Sequence, residues 1–308
     1  MKIGLIGCGY FGKIHAKCIK EVENFDLFGI YDTSSEVTQE IAKQFGTTAY
    51  FNLQALIEDC DVVDIVANTT AHFELAKQAI VLGKHCFIEK PITATVEEAE
   101  ELVRLARKHN VIVQVGHVER YNPAFIAAIP HLTKPLLIET NRLCNFNLRG
   151  ADVSVVHDLM IHDIDLVLSI MKSKVVDIQA TGYKYLTDSL DFANARLFFA
   201  HGGTAHITAS RISNQPIRKM CIYQPENYIT ANFQDKKVEK TEFKNNRSNI
   251  MDIYVIEHNA IVEELSDFLQ SIQQNRAPKV TIMDGLNALN IADKIVKEIF
   301  RQKCIKVK

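Results

Sequence analysis

A glycine-rich turn close to the N-terminus constrains the fold more than any other stretch of the sequence. An apolar run at residues 3–6 predicts a buried strand, and Gly7, Gly9 and Gly12 follow it in the spacing G-x-G-x-x-G before a helical pattern begins at Lys13. In a dinucleotide-binding unit the first glycine permits the turn, the second lets a pyrophosphate approach the backbone, and the third lets the helix pack against the strand. The amide groups of the helix's first turn then bind the anion. The same spacing also occurs in ordinary turns, so its position after a strand matters.

An acidic residue supports a dinucleotide as the ligand of this turn. Asp32 follows the apolar run at residues 27–31 and lies about 20 residues beyond the glycines, where a carboxylate accepts both ribose hydroxyls of an adenosine. No arginine stands close to Asp32 in the sequence to receive a 2′-phosphate, which favours NAD over NADP. Tyr10 and Phe11, between the second and third glycines, are expected to contact the cofactor as well.

The composition excludes several classes of protein. The chain has 308 residues, 47% of them hydrophobic and 23% charged, which predicts a globular protein of about two domains. Its net charge of −2 gives no electrostatic case for binding nucleic acid or an anionic membrane. No apolar run reaches the ~18 residues of a membrane span, and the N-terminus does not read as a signal peptide. The seven cysteines are scattered without a C-x-x-C pair, so we expect no metal site, no disulfide framework and a cytoplasmic location.

Hydrophobic periodicity divides the chain into two parts. Residues 1–118 alternate strand and helix with near-continuous apolar strands, which predicts an α/β domain of the Rossmann type, a doubly wound parallel sheet that binds NAD. Within residues 119–308 several long strands alternate apolar and polar residues, which predicts an α+β domain on an open, mainly antiparallel sheet. We expect this second domain to bind substrate, and its open sheet face to form a homodimer or homotetramer.

Local patterns predict some helices in detail. Thr95 and Glu98 have the spacing of a capping box at the start of a helix. Residues 152–171 predict one strong helix, and two further helices are expected at 261–273 and 285–301.

Polar residues follow three further strands of the parallel half. Ligands of an open parallel sheet bind beyond the carboxyl ends of its strands, so these residues are candidate ligands. They are Asn68, Thr69, Thr70 and His72 after the strand at 62–67, Glu89 and Lys90 after the strand at 85–88, and His117 after the strand at 111–115. The alternatives are that Lys90 is an ordinary surface lysine and that Thr70 caps the next helix.

The predicted helix at 152–171 carries ionisable residues on an otherwise apolar surface. Asp158, His162 and Asp165 are spaced i, i+4 and i+7, so they form one stripe about 60° wide. A solvated face on which His162 simply pairs with Asp158 is one interpretation. We favour an active site in which Asp158 orients the imidazole, because a helix this apolar is expected to be buried and ionisable groups are costly to bury without partners.

Together these motifs resemble a known family of oxidoreductases. They are similar to motifs of the glucose-fructose oxidoreductase, inositol dehydrogenase and rhizopine catabolism (Gfo/Idh/MocA) family, and the resemblance extends over essentially the whole chain. The matching residues are the N-terminal G-x-G-x-x-G, the triplet Glu89-Lys90-Pro91 and Asp158-x-x-x-His162-x-x-Asp165. The resemblance implies a dinucleotide-binding domain followed by an open-sheet domain.

The resemblance also implies a reaction centre that contains Lys90, Asp158 and His162. We expect His162 to be the general base, Lys90 to favour the developing alkoxide, and Asp158 to orient His162 or a substrate hydroxyl. Met160 stands where the family often has a glycine, which is expected to alter the shape of the pocket.

A narrower resemblance within the family indicates a substrate. Residues 116–123 and 152–163 are similar to those of bacterial UDP-N-acetylglucosamine 3-dehydrogenases. This implies hydride transfer from a sugar ring carbon, at the 3-position of a UDP-N-acetylhexosamine. A nucleotide diphosphate requires cations, preferably arginines, and Arg142, Arg149 and Arg211 are the candidates. The candidate substrate-binding residues are Lys90, His117, Arg120, Tyr121, Asn122, Arg142, Arg149, Asp158, His162 and Arg211.

Two other functions remain open at this point. One is a dehydrogenase of a free sugar or of a polyol such as inositol. The other is a non-catalytic NAD-binding sensor, against which the complete set of Lys90, Asp158 and His162 argues.

Overall fold

Strands and helices alternate in the first part of the chain, whereas most later strands follow one another directly. The structure is a computed structural model that describes residues 1–147, 150, 153–245 and 247–301. Its strands are β1 (Lys2–Ile6), β2 (Asp26–Tyr31), β3 (Thr48–Ala49), β4 (Val62–Ile65), β5 (His85–Glu89), β6 (Val113–Gly116), β7 (Leu137–Leu143), β8 (Val175–Tyr183), β9 (Phe192–Phe199), β10 (Thr204–Ser210), β11 (Ile217–Tyr223), β12 (Asn227–Asn232), β13 (Lys237–Lys244) and β14 (Arg247–Ile253). Its α-helices are α1 (Tyr10–Glu21), α2 (Ser35–Phe45), α3 (Leu53–Asp59), α4 (Thr69–Val81), α5 (Val96–His109), α6 (Pro123–Ala128), α7 (Ile161–Met171), α8 (Ala260–Gln273) and α9 (Ile282–Arg301). None of the helices in this described part of the chain combines the length and the apolar character needed to cross a bilayer.

Six parallel strands form the first sheet, in the order β3-β2-β1-β4-β5-β6. The last residue of β1, Ile6, lies between Tyr31 of β2 and Ile65 of β4. Because all six strands run in the same direction, their carboxyl ends share one edge of the sheet. The central strands consist largely of buried apolar residues, as a sheet between helices requires. The predicted parallel sheet of the Rossmann type is therefore confirmed.

Side-chain caps determine where the helices of this part begin. The Thr95 hydroxyl accepts from the Glu98 amide at 3.2 Å, and the Glu98 carboxylate accepts from the Thr95 amide at 3.1 Å. This is the predicted capping box at the start of α5. Asn110 ends α5 in the left-handed conformation, which releases the chain toward β6.

The chain divides into two compact units whose limits differ from the predicted domains. The first unit contains residues 1–118 and 259–286, and the second contains residues 119–258 and the described residues from 287 onward. The prediction assigned 259–286 to the second domain, because a periodic pattern shows that a helix has an apolar face but not what that face contacts.

The apolar face of α8 explains why this helix belongs to the first unit. Leu265, Phe268 and Leu269 are buried in the same core as Leu5 of β1 and Ile19 of α1. The ring of Phe268 meets that of Phe87 edge to face, with 5.9 Å between centroids. The core of the first unit is therefore completed by α8, which follows the strands of the second unit in the sequence.

The second sheet has eight strands in the order β14-β13-β12-β11-β7-β10-β9-β8. Only β7 and β10 pair in parallel, and the other pairs are antiparallel, which confirms the predicted open, mainly antiparallel sheet. Buried and half-exposed residues alternate along β9 and β10. The buried face packs against α6, α7 and α9, so the opposite face is the half-exposed one.

The segment predicted as one helix from 152 to 171 has two parts. A π-helical turn at Val156–Met160 precedes α7, and Asp152 lies outside the described residues. The Arg211 guanidinium donates to the carbonyl groups of Gly150 and Val153, and the Val155 amide donates to Leu190 instead of to a helical carbonyl. Regular α-helix therefore starts later than the apolar pattern suggests.

Replacing Phe268 by alanine is expected to destabilise the first unit. Truncating a fully buried phenylalanine costs about 3–5 kcal/mol of unfolding free energy, because the transfer and cavity contributions add. Urea unfolding followed by circular dichroism measures this loss. The matched control is Phe300→Ala, since that ring is 50% exposed and its removal should cost less than about 1 kcal/mol. Equal losses for the two variants would contradict the role of α8.

Candidate active site

The glycine turn at the edge of the first sheet has the geometry of an anion site. Gly7 has φ +100°, and a Cβ there would lie 2.8 Å from main-chain atoms of Ala67. A Cβ at Gly12 would overlap the carbonyl oxygen of Gly7. Gly9 is the N-cap of α1, and a Cβ there would meet no atom of the described residues within 4 Å. The first turn of α1 therefore presents its amides beside open space, which fits a pyrophosphate.

Three predicted cofactor residues surround this turn. Tyr10 and Phe11 occupy the first two positions of α1, and their side chains are exposed. The carboxylate of Asp32 accepts from the main-chain amides of Cys8 at 2.7 Å and Ser34 at 3.0 Å. Asp32 is thus held against the glycine turn, and carboxylate oxygens keep further lone pairs for a ribose.

The residues after β4 begin α4. Asn68 is the N-cap of this helix, and Thr69 and Thr70 lie in its first turn. The alternative that Thr70 caps the helix is therefore wrong. Asn68 and Thr70 are exposed at the same edge of the sheet as the glycine turn.

His72 has a different environment from the one predicted. Its ring is 1% exposed, with Nδ1 2.9 Å from the carbonyl oxygen of Pro91 and Nε2 3.0 Å from that of Ala67. Both ring nitrogens thus face main-chain carbonyl groups. Burial lowers the pKa of His72, and a neutral imidazole donates its single N–H to one of these two carbonyl groups. We correct the expectation of a cofactor contact and assign His72 a structural role.

Glu89 belongs to a buried ionic cluster that sequence reasoning missed. One carboxylate oxygen lies 3.3 Å from Nε2 of His15, and the other accepts from the Lys90 amide at 2.9 Å. Nδ1 of His15 lies 2.9 Å from the carboxylate of Asp64, which is fully buried in β4. The Glu89 carboxylate therefore contacts His15 and the Lys90 amide, which corrects the expected cofactor contact. The sequence feature that could have indicated this cluster is Asp64, a charged residue within an otherwise apolar strand.

The charges of this cluster stabilise one another. Burial opposes the imidazolium of His15, but the carboxylates of Asp64 and Glu89 raise the pKa of His15 well above its usual value. Burial alone would raise the pKa of Glu89, but the hydrogen bond from His15 and the charges of His15 and Lys90 lower it. Lys90 itself is half-buried, and His117 is buried after β6.

Two predicted substrate-binding arginines form buried ion pairs in the second unit. Arg120 donates to both oxygens of Asp165, at 2.6 and 2.7 Å. Arg142 donates to both oxygens of Asp163 and to Glu119, at 2.8–2.9 Å. Burial opposes the Arg142 charge, but the two carboxylates overcome it and raise the pKa of the guanidinium. These guanidiniums bind carboxylates of their own unit, so we correct the expectation that Arg142 binds a diphosphate and that Arg120 binds substrate.

Other predicted substrate residues also support the backbone. The guanidinium of Arg211 donates to the carbonyl groups of Gly150 and Val153, which precede the π-helical turn. Asn122 is the N-cap of α6, and Tyr121 is buried. Arg149 lies outside the described residues. Sequence spacing identifies arginines but does not reveal that their guanidiniums are already paired.

Asp158 and His162 lie four residues apart across the junction of the π-helical turn and α7, and both are half-buried. Asp165 does not share their environment, because it is buried against Arg120. The predicted stripe of three ionisable residues therefore reduces to Asp158 and His162. π-Helical turns are frequent at functional sites. The apolar pattern of this segment did not predict one.

A second-unit residue absent from the predicted set is Arg218 of β11. Its side chain is 54% exposed, and Nη1 lies 4.0 Å from Oε1 of Glu119. Burial raises the pKa of the nearby Cys144 thiol, and the charge of Asp158 raises it further, whereas Arg211 and Arg218 lower it. Arg218 also lies opposite Arg142 in the β7–β11 pair.

Comparison with protein families identifies both parts of the chain. A family model described as an oxidoreductase family with an NAD-binding Rossmann fold matches residues 1–117. A second, described as the GFO/IDH/MocA C-terminal domain, matches residues 145–226.

Individual relatives extend over nearly the whole chain. The sequence is 32% identical over 289 residues to UDP-N-acetylglucosamine 3-dehydrogenase of Acidithiobacillus ferrooxidans, which covers 90% of each chain. A solved structure of that enzyme matches with a TM-score of 0.92 at 31% identity, over 97% of each chain. Myo-inositol 2-dehydrogenase of Thermotoga maritima is 26% identical and covers all of this chain and 98% of its own.

The predicted family resemblance is therefore confirmed by both parts of the chain and by a relative of nearly equal extent. The first unit is an NAD-binding Rossmann domain and the protein is a dehydrogenase. The chain belongs to the GFO/IDH/MocA family of oxidoreductases.

Proposed function

We propose that this enzyme oxidises a ring hydroxyl of a sugar, at the 3-position of a UDP-N-acetylhexosamine. The likeness to UDP-N-acetylglucosamine 3-dehydrogenase over 90% of both chains carries this proposal. A spectrophotometric assay of NADH formation with UDP-N-acetylglucosamine tests it directly. The second candidate is a polyol dehydrogenase, favoured by the full-length similarity to myo-inositol 2-dehydrogenase. Turnover of myo-inositol without turnover of the UDP-sugar would decide for that candidate.

The residues of the first unit fit NAD. The open space at Gly9 and the first turn of α1 suit the pyrophosphate, and Asp32 suits the ribose hydroxyls. When bound, NAD supplies a hydride acceptor for the oxidised carbon. The proposed ligands in this unit are Gly7, Gly9, Tyr10, Phe11, Gly12, Asp32, Asn68, Thr69, Thr70 and Lys90.

Lys90, Asp158 and His162 are the proposed catalytic residues. His162 accepts the proton of the sugar hydroxyl, because an imidazole is the side chain that most often acts as a general base. The ammonium of Lys90 donates a hydrogen bond to the same oxygen and stabilises its developing negative charge. Asp158 orients His162 or a neighbouring substrate hydroxyl.

Arg218 is the proposed ligand of the diphosphate. It is 54% exposed and lies opposite Arg142 in the β7–β11 pair, whereas Arg120 and Arg142 are buried against carboxylates. A guanidinium bonds a phosphate through two parallel N–H groups, which gives both affinity and orientation.

Homodimer or homotetramer formation through the half-exposed face of the eight-stranded sheet is also proposed. This face carries aromatic pairs such as Tyr223 with Tyr228, whose centroids are 5.5 Å apart, and Arg196 above the ring of Phe198 at 4.9 Å. An open sheet face with aromatic and arginine side chains suits a protein interface.

Lys90→Met and His162→Asn are each expected to lower kcat by about 10²-fold or more, because each removes a group that acts on the reacting hydroxyl. Fluorescence titration with NADH should show a Kd for His162→Asn within about threefold of wild type, because a loss of turnover and a loss of binding are measured separately. Lys108→Met and His109→Asn are the matched controls on α5 and should retain wild-type turnover. Wild-type kcat in either test variant would contradict its assigned role.

Gly9→Ala is expected to weaken NADH binding by about tenfold or more without destabilising the fold. Its φ of −66° suits alanine, and the added methyl group meets only open space in the described structure. The methyl group would occupy the approach of the pyrophosphate. Thermal unfolding without ligand serves as the control. An unchanged Kd would exclude this turn as the phosphate site.

Arg218→Gln is expected to raise KM for the UDP-sugar by about 10-fold or more, because a charge-assisted hydrogen bond contributes about 1.5–3 kcal/mol. KM for NAD should not change. Lys219→Gln is the matched control, since successive residues of a strand point to opposite faces. Equal KM values for both variants would remove Arg218 from the substrate site.

Light scattering is expected to give the mass of a dimer or tetramer. Arg196→Glu should shift the population toward monomer by reversing a charge within the proposed interface. Arg104→Glu is the control, because its side chain is 74% exposed on α5 of the first unit. A monomeric wild-type protein would reject this interface.

A further inference from the structure

The buried cluster of His15, Asp64 and Glu89 has no part in the chemistry proposed above. His15 is the sixth residue of α1 and is 1% exposed. Its two ring nitrogens face two different strands, with Nδ1 2.9 Å from Asp64 of β4 and Nε2 3.3 Å from Glu89 of β5. One imidazole thus connects the helix of the glycine turn to the strand that precedes Lys90.

Two carboxylates that face the two ring nitrogens favour a positively charged ring. A neutral imidazole has a single N–H and would direct a lone pair at one of the two carboxylates, whereas an imidazolium donates to both. Oδ1 of Asp64 has no hydrogen-bond partner within the described residues. Burial raises the pKa of Asp64, whereas the charge of His15 and the hydrogen bond to it act in the opposite direction. Asp64 and Glu89 together also raise the pKa of His15.

The Glu89 carboxylate links the ring of His15 to the main chain of Lys90. One oxygen faces His15 and the other accepts the main-chain N–H of Lys90 at 2.9 Å. The positive charges of His15 and Lys90 both lower the pKa of Glu89. Loss of the imidazolium would leave this carboxylate to the ammonium of Lys90.

Gly116 provides the space in which this carboxylate is held. It lies beside Glu89 in the β5–β6 pair, and a Cβ at Gly116 would be 2.7 Å from Oε1 of Glu89. A methyl group at this position would displace the carboxylate without changing any charge. Gly116 therefore offers a second way to disturb the same contact.

We propose that His15 is a positioning residue for Lys90: as a buried imidazolium it holds the Glu89 carboxylate, and through it the main chain at Lys90. This inference rests on the proposed catalytic role of Lys90. Because His15 belongs to α1, the helix that binds the pyrophosphate also sets the position of the lysine. His15 and Lys90 are thus coupled through the Glu89 carboxylate.

A double-mutant cycle tests this coupling. His15→Gln should lower kcat about tenfold or more while the Kd for NADH changes less than about threefold. In the Lys90→Met background the same substitution should change kcat less than about twofold, because its effect passes through the lysine. Gly116→Ala should behave in the same way. Equal factors in both backgrounds, or no effect of either variant on kcat, would overturn the proposal.

Glu89→Gln keeps the test decisive if His15→Gln does not fold, because it removes the same contact from the other side. His109→Gln is the matched control, a histidine of α5 in the same unit that should leave kcat unchanged. The cycle uses whichever of UDP-N-acetylglucosamine and myo-inositol the wild-type enzyme oxidises.

A spectroscopic test applies even if neither substrate is oxidised, and so separates this inference from the proposed function. The lysines of the protein are first dimethylated with ¹³C-labelled methyl groups. The ¹³C resonance that is absent from the spectrum of Lys90→Met is then assigned to Lys90. It should shift in Gly116→Ala and Glu89→Gln but not in His109→Gln. With ¹⁵N-labelled histidine at pH 8, His15 should show both nitrogens protonated, whereas an ordinary imidazole is neutral. An unshifted lysine resonance or a neutral His15 would overturn the proposal.

Discussion

The close approach of α1 to the turn after β1 is the constraint on which the first unit depends. Gly12 faces the carbonyl oxygen of Gly7 so closely that any side chain would separate helix and turn. This contact fixes the direction of α1 relative to the parallel sheet. The same direction aims the first-turn amides into open space and brings His15, one and a half turns later, between β4 and β5. An anion site and a buried cation thus follow from one backbone contact.

The second unit is organised by buried ion pairs on α7. Asp163 and Asp165 point to two arginines, Arg142 and Arg120, that come from β7 and from the turn before α6. Such pairs add little net stability compared with apolar residues of the same shape, but breaking one leaves a costly buried charge. They therefore act chiefly to specify how α7 is rotated, and the rotation of α7 sets the direction of His162.

Features that depend on local sequence could be predicted, and features that depend on pairing could not. The glycine turn, Asp32 at the end of β2 and the Thr95 cap follow from short-range spacing and backbone conformation. In contrast, α8 joins the first unit, and His72 is buried against carbonyl groups. A single sequence does not show which distant surface or atom completes these contacts. The arginines show the same limit of a single sequence. Their residue type suggested ligands of the substrate, but their partners in the structure are carboxylates.

The two ionic clusters share one arrangement. In the first unit the buried His15 holds Glu89, and the next residue is Lys90. In the second unit the buried Arg142 holds Asp163, and the preceding residue is His162. Lys90 and His162 are therefore each a sequence neighbour of a carboxylate anchored by a cation inside the same unit. Anchoring the adjacent carboxylate restrains the backbone from which the catalytic side chain projects, while leaving that side chain's chemistry unaltered. Such restraint provides the preorganisation that general acid–base catalysis requires, because a displacement of about 1 Å is enough to lower turnover strongly.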